Sequence, residues 1–360
     1  MDSNKKGQYI IGLMSGTSLD GIDIAYCHFE SAHQFRLIAA DTIAYDDAWR
    51  QRLSTLHTSS AEAYARADAE LGHLFGRCVN RFRADHPGRV DAIASHGHTV
   101  FHQPEAGFTA QIGDGNAIAA ETGLPVVCDF RRLDVALGGQ GAPLVPIGDR
   151  LLFGDYDCCI NLGGIANLSY EQGDHRTAYD ISPCNMALNW LAAKAGMDCD
   201  RDGKMASQGQ FVAPLMEALE SLDYYQMEPP KTLGKEWFEG CFRPLVEEFE
   251  GTPLPDRLRT VTEHIALRIA EALSPAGISI GSALVTGGGA KNKFLMERVK
   301  ALKPRIRFGE CDADIVDYKE AIIFALLAYL RLQGENNTLA SVTGARCDSC
   351  GGVLCGSLKA

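Results

Sequence analysis

Residues 10–21 read IIGLMSGTSLDG, an apolar run that breaks into small hydroxyl and glycine residues and then reaches Asp20. Ile10–Met14 has the composition of a buried strand. Ser15 to Gly21 has the composition of a turn, because glycine and short polar side chains tolerate conformations that larger residues avoid. Two more apolar runs, 22–29 and 35–44, follow at short spacing, so the start of the chain reads as an antiparallel meander.

The same unit recurs. DCCINLGGIANLSYE (157–171) is an apolar run, a glycine pair and a second apolar run, with RTAYD (176–180) as the next strand. SALVTGGGAKNKFLMERVKAL (282–302) is a strand, a three-glycine turn and a helix. Between the repeats, Ser59 and Glu62 form a capping box for a helix carrying Ala65, Leu71, Phe75 and Val79 at helical spacing. VDAIAS, a turn, FTAQIG, the helix NAIAAETG and PVVCDF then alternate strand and helix. SPCNMALNWLAAKAG reads as a helix entered through a proline turn, and Glu320–Gln333 as the last helix. This pattern predicts a mixed α/β fold of two related domains. The first is residues 1–138, with 320–360 returning to pack on it, and the second is 139–319.

Composition narrows the function. At 360 residues the chain suits two domains, and 46% hydrophobic with 22% charged residues is ordinary for a globular enzyme. A formal charge of −12 argues against a nucleic-acid partner, which needs a basic face. No apolar run reaches the roughly 18 residues of a membrane helix. The start of the chain lacks the pattern of a secretory leader, so a cytoplasmic location is expected. Of the twelve cysteines, Cys27, Cys128, Cys158, Cys159 and Cys311 lie in or beside apolar runs as small hydrophobes. Cys347, Cys350 and Cys355 in the tail lack the fourth ligand that a tetrahedral zinc site needs.

Taken singly, each glycine turn reads as a tight hairpin. Neither GxxxxGK[ST] nor a strand-associated GxGxxG is present, and GTSLD lacks the closing glycine of a serine-hydrolase elbow. Together, three such turns in duplicated halves suit a ligand with several anionic parts, such as a nucleoside triphosphate.

The chain also resembles a known family. GLMSGTSLDGID, ASHGHTVFHQP, DFRRLDVALGGQGAPLVP, INLGGIANLS, YDISPCNMALNW, DGKMASQGQ, PKTLGKEWF and VTGGGAKN, in that order, are similar to the 1,6-anhydro-N-acetylmuramic acid kinase family, from Gly12 to Glu320. The resemblance implies actin- and hexokinase-like (ribonuclease H-like) domains with mixed sheets flanking a nucleotide cleft. It implies a cytoplasmic, dimeric enzyme of cell-wall recycling that opens the anhydro ring with water and phosphorylates O6 using ATP and Mg²⁺. An ordinary hexosamine kinase and a non-catalytic ATP-dependent sugar sensor are the alternatives.

By resemblance Asp180 is the catalytic base, its competing role being a helix N-cap. The family usually reads Asp-Thr-Gly-Pro-Gly-Asn where this chain has DISPCN (180–185). ATP contacts fall on Gly16, Thr17 and Ser18, on Asn161, Gly163 and Gly164, and on Gly287, Gly288, Gly289 and Asn292. Sugar contacts fall on His96, Thr99, Arg131, Asn185 and Glu320. Arg131 reads either as the partner of a sugar carboxylate or as a hinge salt bridge with Asp129 or Asp134. His96 reads equally as a satisfied interior histidine, and Glu320 as an acid favouring a helix N-terminus. The wider superfamily carries an aspartate where Met14 stands, which leaves Asp20 or Asp23 for Mg²⁺.

Overall fold

A computed structural model describes residues 7–16, 19–229, 231–309 and 312–356. It contains two compact units, one of residues 1–152 with 318–360 and one of residues 153–317.

The first unit is built on a seven-stranded sheet. Its strands are β1 (Gln8–Ser15), β2 (Gly21–Ser31), β3 (Gln34–Ala44), β4 (Ala92–Gln103), β5 (Phe108–Ile112), β6 (Val126–Cys128) and, from the end of the chain, β12 (Val353–Cys355). The order is β12-β6-β4-β1-β2-β3, with β5 paired to β4. The meander β1-β2-β3 is antiparallel, whereas β4 is parallel to β1 and β6 parallel to β4. Ile11, Leu13, Ile22, Ile24 and Ile93 bury one face of this sheet. The helix Ala61–Asp85 covers them with Ala67, Leu71, Phe75, Val79 and Phe82, spaced three or four apart. Its cap is Ser60, which accepts from Ala63 N at 3.2 Å, one residue later than the capping box at Ser59 predicts.

The helix Ala313–Gln333 belongs to this unit from Tyr318 onward. Its Ala321–Leu330 stretch is buried on every side, as a helix apolar all round must be. The helix packs so closely on β1 that a Cβ at Gly12 would run into the Ala321 carbonyl oxygen.

The second unit carries β7 (Cys158–Leu162), β8 (Ile165–Gln172), β9 (His175–Pro183), β10 (Ser282–Thr286) and β11 (Arg307–Gly309). Their order is β11-β10-β7-β8-β9. Again three strands are antiparallel and the next two parallel. The repeat expected from sequence is thus present as one strand path used twice, and both sheets are mixed. The helix Leu254–Ala272 supplies Leu258, Val261, Ile265 and Ile269 to this unit's core.

Three local expectations change. SHGHT (95–99) is no turn but part of β4, which passes through Gly97 at φ 75 and goes on to pair with β5. Ile181, Ser182 and Pro183 continue β9 rather than starting a proline turn, and the next helix, Asn185–Ala193, begins after Cys184. Glu320 lies seven residues inside the last helix, because the helix starts at Ala313. No helix among the described residues is long and apolar enough to cross a membrane.

Candidate active site

In the second unit the chemistry gathers at the carboxyl ends of parallel strands, where α/β sheets commonly hold ligands. Asn161 of β7 pairs with Thr286 of β10, so the turns that follow, 163–164 and 287–289, lie side by side. Gly287 takes φ 82, and a Cβ there would crowd Asn161 Oδ1 at 2.5 Å. A Cβ at Gly289 would meet Leu162 at 2.7 Å. Backbone packing therefore explains these two glycines.

Gly163, Gly164 and Gly288 differ. None has a positive φ, and a Cβ would find its nearest neighbour at 3.3 Å (Asn161 Nδ2), 3.8 Å (Met186) and 3.5 Å (Asn185 Nδ2). At Gly164 and Gly288 the fold leaves room for a methyl, and at Gly163 the Asn161 amide would have to give by a few tenths of an ångström. Close approach of an outside group to the backbone would also select glycine there. Asn185 opens its helix here, donating from Nδ2 to Leu162 O at 3.0 Å and from its backbone N–H to Gly163 O at 3.1 Å. Asn292 is engaged in the fold, since its Oδ1 caps the helix Lys293–Leu302 by accepting from Leu295 N at 3.1 Å.

Asp180 sits in β9 across from Asn167. It is not an N-cap, because the cap position of the following helix is Cys184. Its Oδ2 accepts from Leu233 N at 2.8 Å and from Thr232 Oγ1 at 3.0 Å. Its Oδ1 has no protein partner among the described residues. Burial pushes the carboxyl above the usual aspartate value, and the Leu233 and Thr232 bonds pull it part of the way back. Among the described residues no cation bears on it, which sets it apart from a salt-bridged aspartate. Cys184, fully buried, has a thiol pushed up to about 12 and is no nucleophile.

The first unit holds a charged cluster. Arg131 Nε donates to His96 Nε2 at 3.0 Å, and Nη1 donates to Gly141 O at 2.7 Å. Burial lowers the Arg131 pKa to about 10, while Glu320 and Asp134 favour its charge. The expected hinge salt bridge forms elsewhere, as Asp129 pairs with Arg132 at 3.5 Å. Asp134 accepts from Gly141 N and from Thr343 Oγ1, both at 2.7 Å, and so holds the glycine-rich loop 138–141. Nη2 of Arg131 keeps its donors free of protein partners among the described residues.

His96 has both ring nitrogens occupied, because its Nδ1 lies 2.9 Å from Gly97 O and its ring packs 4.6 Å from Phe324. Burial, then Arg131, drives its pKa well below 6.5, so it stays neutral and acts by aiming Arg131. Thr99 Oγ1 accepts from Gln111 Nε2 at 3.3 Å. Desolvation raises the Glu320 carboxyl, Arg131 opposes this and Asp23 adds to it. The residue as a whole is exposed to solvent. Its neighbour Lys319 pairs with Asp149 at 2.6 Å in the interior.

Asp23 is the direct cross-strand partner of Met14. Directly opposed residues share a sheet face, so a carboxylate does stand beside position 14, supplied by β2 instead of β1. Its Oδ1 accepts from Thr42 Oγ1 at 2.7 Å. Asp20 lies exposed in the turn. Thr17 and Ser18 lie outside the described residues. In that turn the positive φ falls on Leu19, at 61, rather than on Gly16.

Among the described residues no three His, Cys, Asp or Glu side chains group to hold a metal, the tail cysteines included. Sequence reasoning missed Thr232 and Leu233. Their segment, PKTLGKEWF, carried the resemblance without a role, because a contact 52 residues away has no local signal.

Residues 8–356 match the profile of the anhydro-N-acetylmuramic acid kinase family. Over 349 residues the chain is 37% identical to the anhydro-N-acetylmuramic acid kinase of Sulfurovum sp. (strain NBC37-1), covering 93% of this chain and 96% of the relative. It is 38% identical to that of Mannheimia succiniciproducens (96% and 98% covered) and 38% identical to that of Pasteurella multocida (94% of each). Component A of the Acidaminococcus fermentans (R)-2-hydroxyglutaryl-CoA dehydratase overlays 91% of this chain at TM-score 0.48 with 11% identity. By profile match and by identity over almost its whole length, the chain belongs to the anhydro-N-acetylmuramic acid kinase family.

Proposed function

We propose that this chain opens the 1,6-anhydro ring of anhydro-N-acetylmuramic acid with water and phosphorylates the released O6 from ATP, giving N-acetylmuramic acid 6-phosphate. The observation that carries this reading is Asp180, a half-buried carboxylate with one oxygen held, the other open, and no cation to quench its basicity. Oδ1 takes a proton from the water that attacks the anomeric carbon, the C1–O6 bond breaks, and O6 receives the γ-phosphoryl group. Because O6 leaves into phosphoryl transfer, no strong separate acid is needed.

The remaining groups bind and orient. Gly163, Gly164 and Gly288 let phosphates approach the backbone, with Asn161, Gly287 and Gly289 shaping those turns. Asn185 holds the two turns together. Arg131, aimed by His96, meets the lactyl carboxylate through its Nη2 side. Thr99 and Glu320 meet sugar hydroxyls. Gly16, Thr17 and Ser18 form the other phosphate turn.

The residues fit Mg²⁺ in its usual manner, held mainly by phosphates and water with one or two protein carboxylates. Asp23, beside position 14 and raising Glu320, is the carboxylate we assign to it in preference to Asp20. Mg²⁺ would supply charge neutralisation on the phosphates. We read the two compact units as the two domains of the fold, and we place the enzyme in the cytoplasm, as a dimer, in cell-wall recycling.

The test is product analysis after incubation with ATP and the anhydro sugar. Mass and ³¹P spectra are expected to show the ring-opened 6-phosphate in step with ADP. An enzyme that ignores the anhydro sugar and phosphorylates N-acetylmuramic acid would be an ordinary hexosamine kinase, and one with no turnover on either would be a sensor.

A further inference from the structure

We propose that Thr232 is a positioning residue for the reaction: its hydroxyl, with the Leu233 amide, pins Oδ2 of Asp180 and thereby assigns proton abstraction to Oδ1. This rests on the reading of Asp180 as the base.

Four hydrogen bonds tie Asp180 to one later stretch of chain, residues 224–233. Tyr224 OH donates to the Asp180 carbonyl at 2.6 Å, and the Asp180 N–H donates to Lys231 O at 3.1 Å. Thr232 Oγ1 and Leu233 N then donate to Oδ2 at 3.0 and 2.8 Å. The first pair fixes the backbone and the second fixes the carboxylate plane. A carboxylate with both oxygens free rotates about its terminal torsion, a broad and soft coordinate. With two donors on one oxygen, the other has a single direction left to it.

The stretch is itself braced. Lys231 Nζ donates to the carbonyls of Met227 at 2.8 Å and Tyr224 at 3.2 Å, closing the loop on itself. Leu233 is buried, whereas Thr232 is solvent-exposed. An exposed threonine contributes little to a core, so the bond to Oδ2 is the role its position offers. Tyr224 is the titratable side chain whose hydroxyl meets the Asp180 residue, and burial raises its phenol far above neutrality. Among the described residues no charged side chain bears on the Asp180 carboxyl, so its basicity is set by burial against these two donors.

The experiment compares pH profiles of kcat/KM and kcat for the wild type, Thr232→Val, Thr232→Ala, Thr232→Ser and Asp180→Asn. Valine keeps the shape and removes the donor, so the acidic limb is expected to move up by about one unit, as loss of a hydrogen bond to a charged acceptor predicts. Plateau kcat is expected to fall about tenfold through lost aim, with KM for ATP within about twofold. Alanine should match valine, and serine should restore both readouts. A valine profile that superimposes on the wild type overturns the proposal, and so does a serine variant as impaired as valine. If Asp180→Asn keeps its plateau rate, the base assignment itself fails. If only that variant is inactive while Thr232→Val is unchanged, the base stands and the positioning role falls.

Discussion

The two units use one strand path for opposite electrostatic ends. Around Arg131 the first unit gathers charge: Glu320 and Asp134 favour the ionised guanidinium, and Lys319 pairs with Asp149 in the interior. At the carboxyl ends of β7 and β10 the second unit presents glycine and asparagine, and β9 presents Asp180, whose carboxylate is met by neutral donors among the described residues. A paired charge is stabilised in its ionised form and suits a role in binding, whereas a half-buried carboxylate without a counter-ion keeps an elevated pKa and suits proton transfer. On the proposed reading, the fold separates holding from reacting by what surrounds each charge.

The largest effect that tests this contrast is at Asp180. Asparagine keeps an oxygen for the Thr232 and Leu233 donors while removing the base, so kcat is expected to fall about 10³-fold with ATP affinity nearly unchanged, by steady-state kinetics and calorimetry. The stability sign is opposite. A carboxyl whose folded pKa is raised costs stability when ionised, a cost present above that pKa and relieved as pH falls through it. Asp180→Asn is therefore expected to melt at or slightly above the wild-type temperature at neutral pH, with the gap closing in acid. A large drop in Tm would mark Asp180 as structural. In the wild type, activity is expected to fall as pH drops through this raised value, above the ordinary 3.8.

Arg131 should give the next largest effect, and of the other kind. Arg131→Gln is expected to raise KM for the acidic sugar about 30-fold, the scale of one charge-assisted contact, with a small change in kcat. The same variant tested on an analogue lacking the lactyl carboxylate should show little loss. Equal losses on both sugars would mean that Arg131 braces the fold through Gly141 and does not read the substrate.

A pair of glycines sharpens the comparison at smaller scale. Gly12→Ala drives a methyl into the Ala321 carbonyl and is expected to cost about 2 kcal/mol of stability in chemical denaturation. Gly164→Ala has room for its methyl and should leave Tm unchanged while raising KM for ATP several-fold. If Gly164→Ala destabilises instead, its glycine serves the hairpin.

The parts legible in sequence were those that local chemistry dictates. The apolar runs and glycine turns gave both meanders, and their recurrence gave the repeated strand path. What pairing decides was hidden. The carboxylate beside Met14 comes from Asp23, visible only once β1 and β2 are in register. Glu320 reads in sequence as the start of a helix because three aspartates interrupt the apolar pattern before it, yet Val316 N already donates to Asp312 O in the first turn. ISPCN has turn composition, but Ser182 and Ile181 are buried against the rest of their unit and stay in β9. Tertiary burial overrode turn propensity there.

The central claim is that Asp180 Oδ1 activates water, and a crystal structure with a non-hydrolysable ATP analogue and the anhydro sugar tests it most directly. The account predicts an ordered water about 3 Å from Oδ1, facing the anomeric carbon opposite the C1–O6 bond. A sugar hydroxyl seated on Oδ1 in place of that water would contradict it.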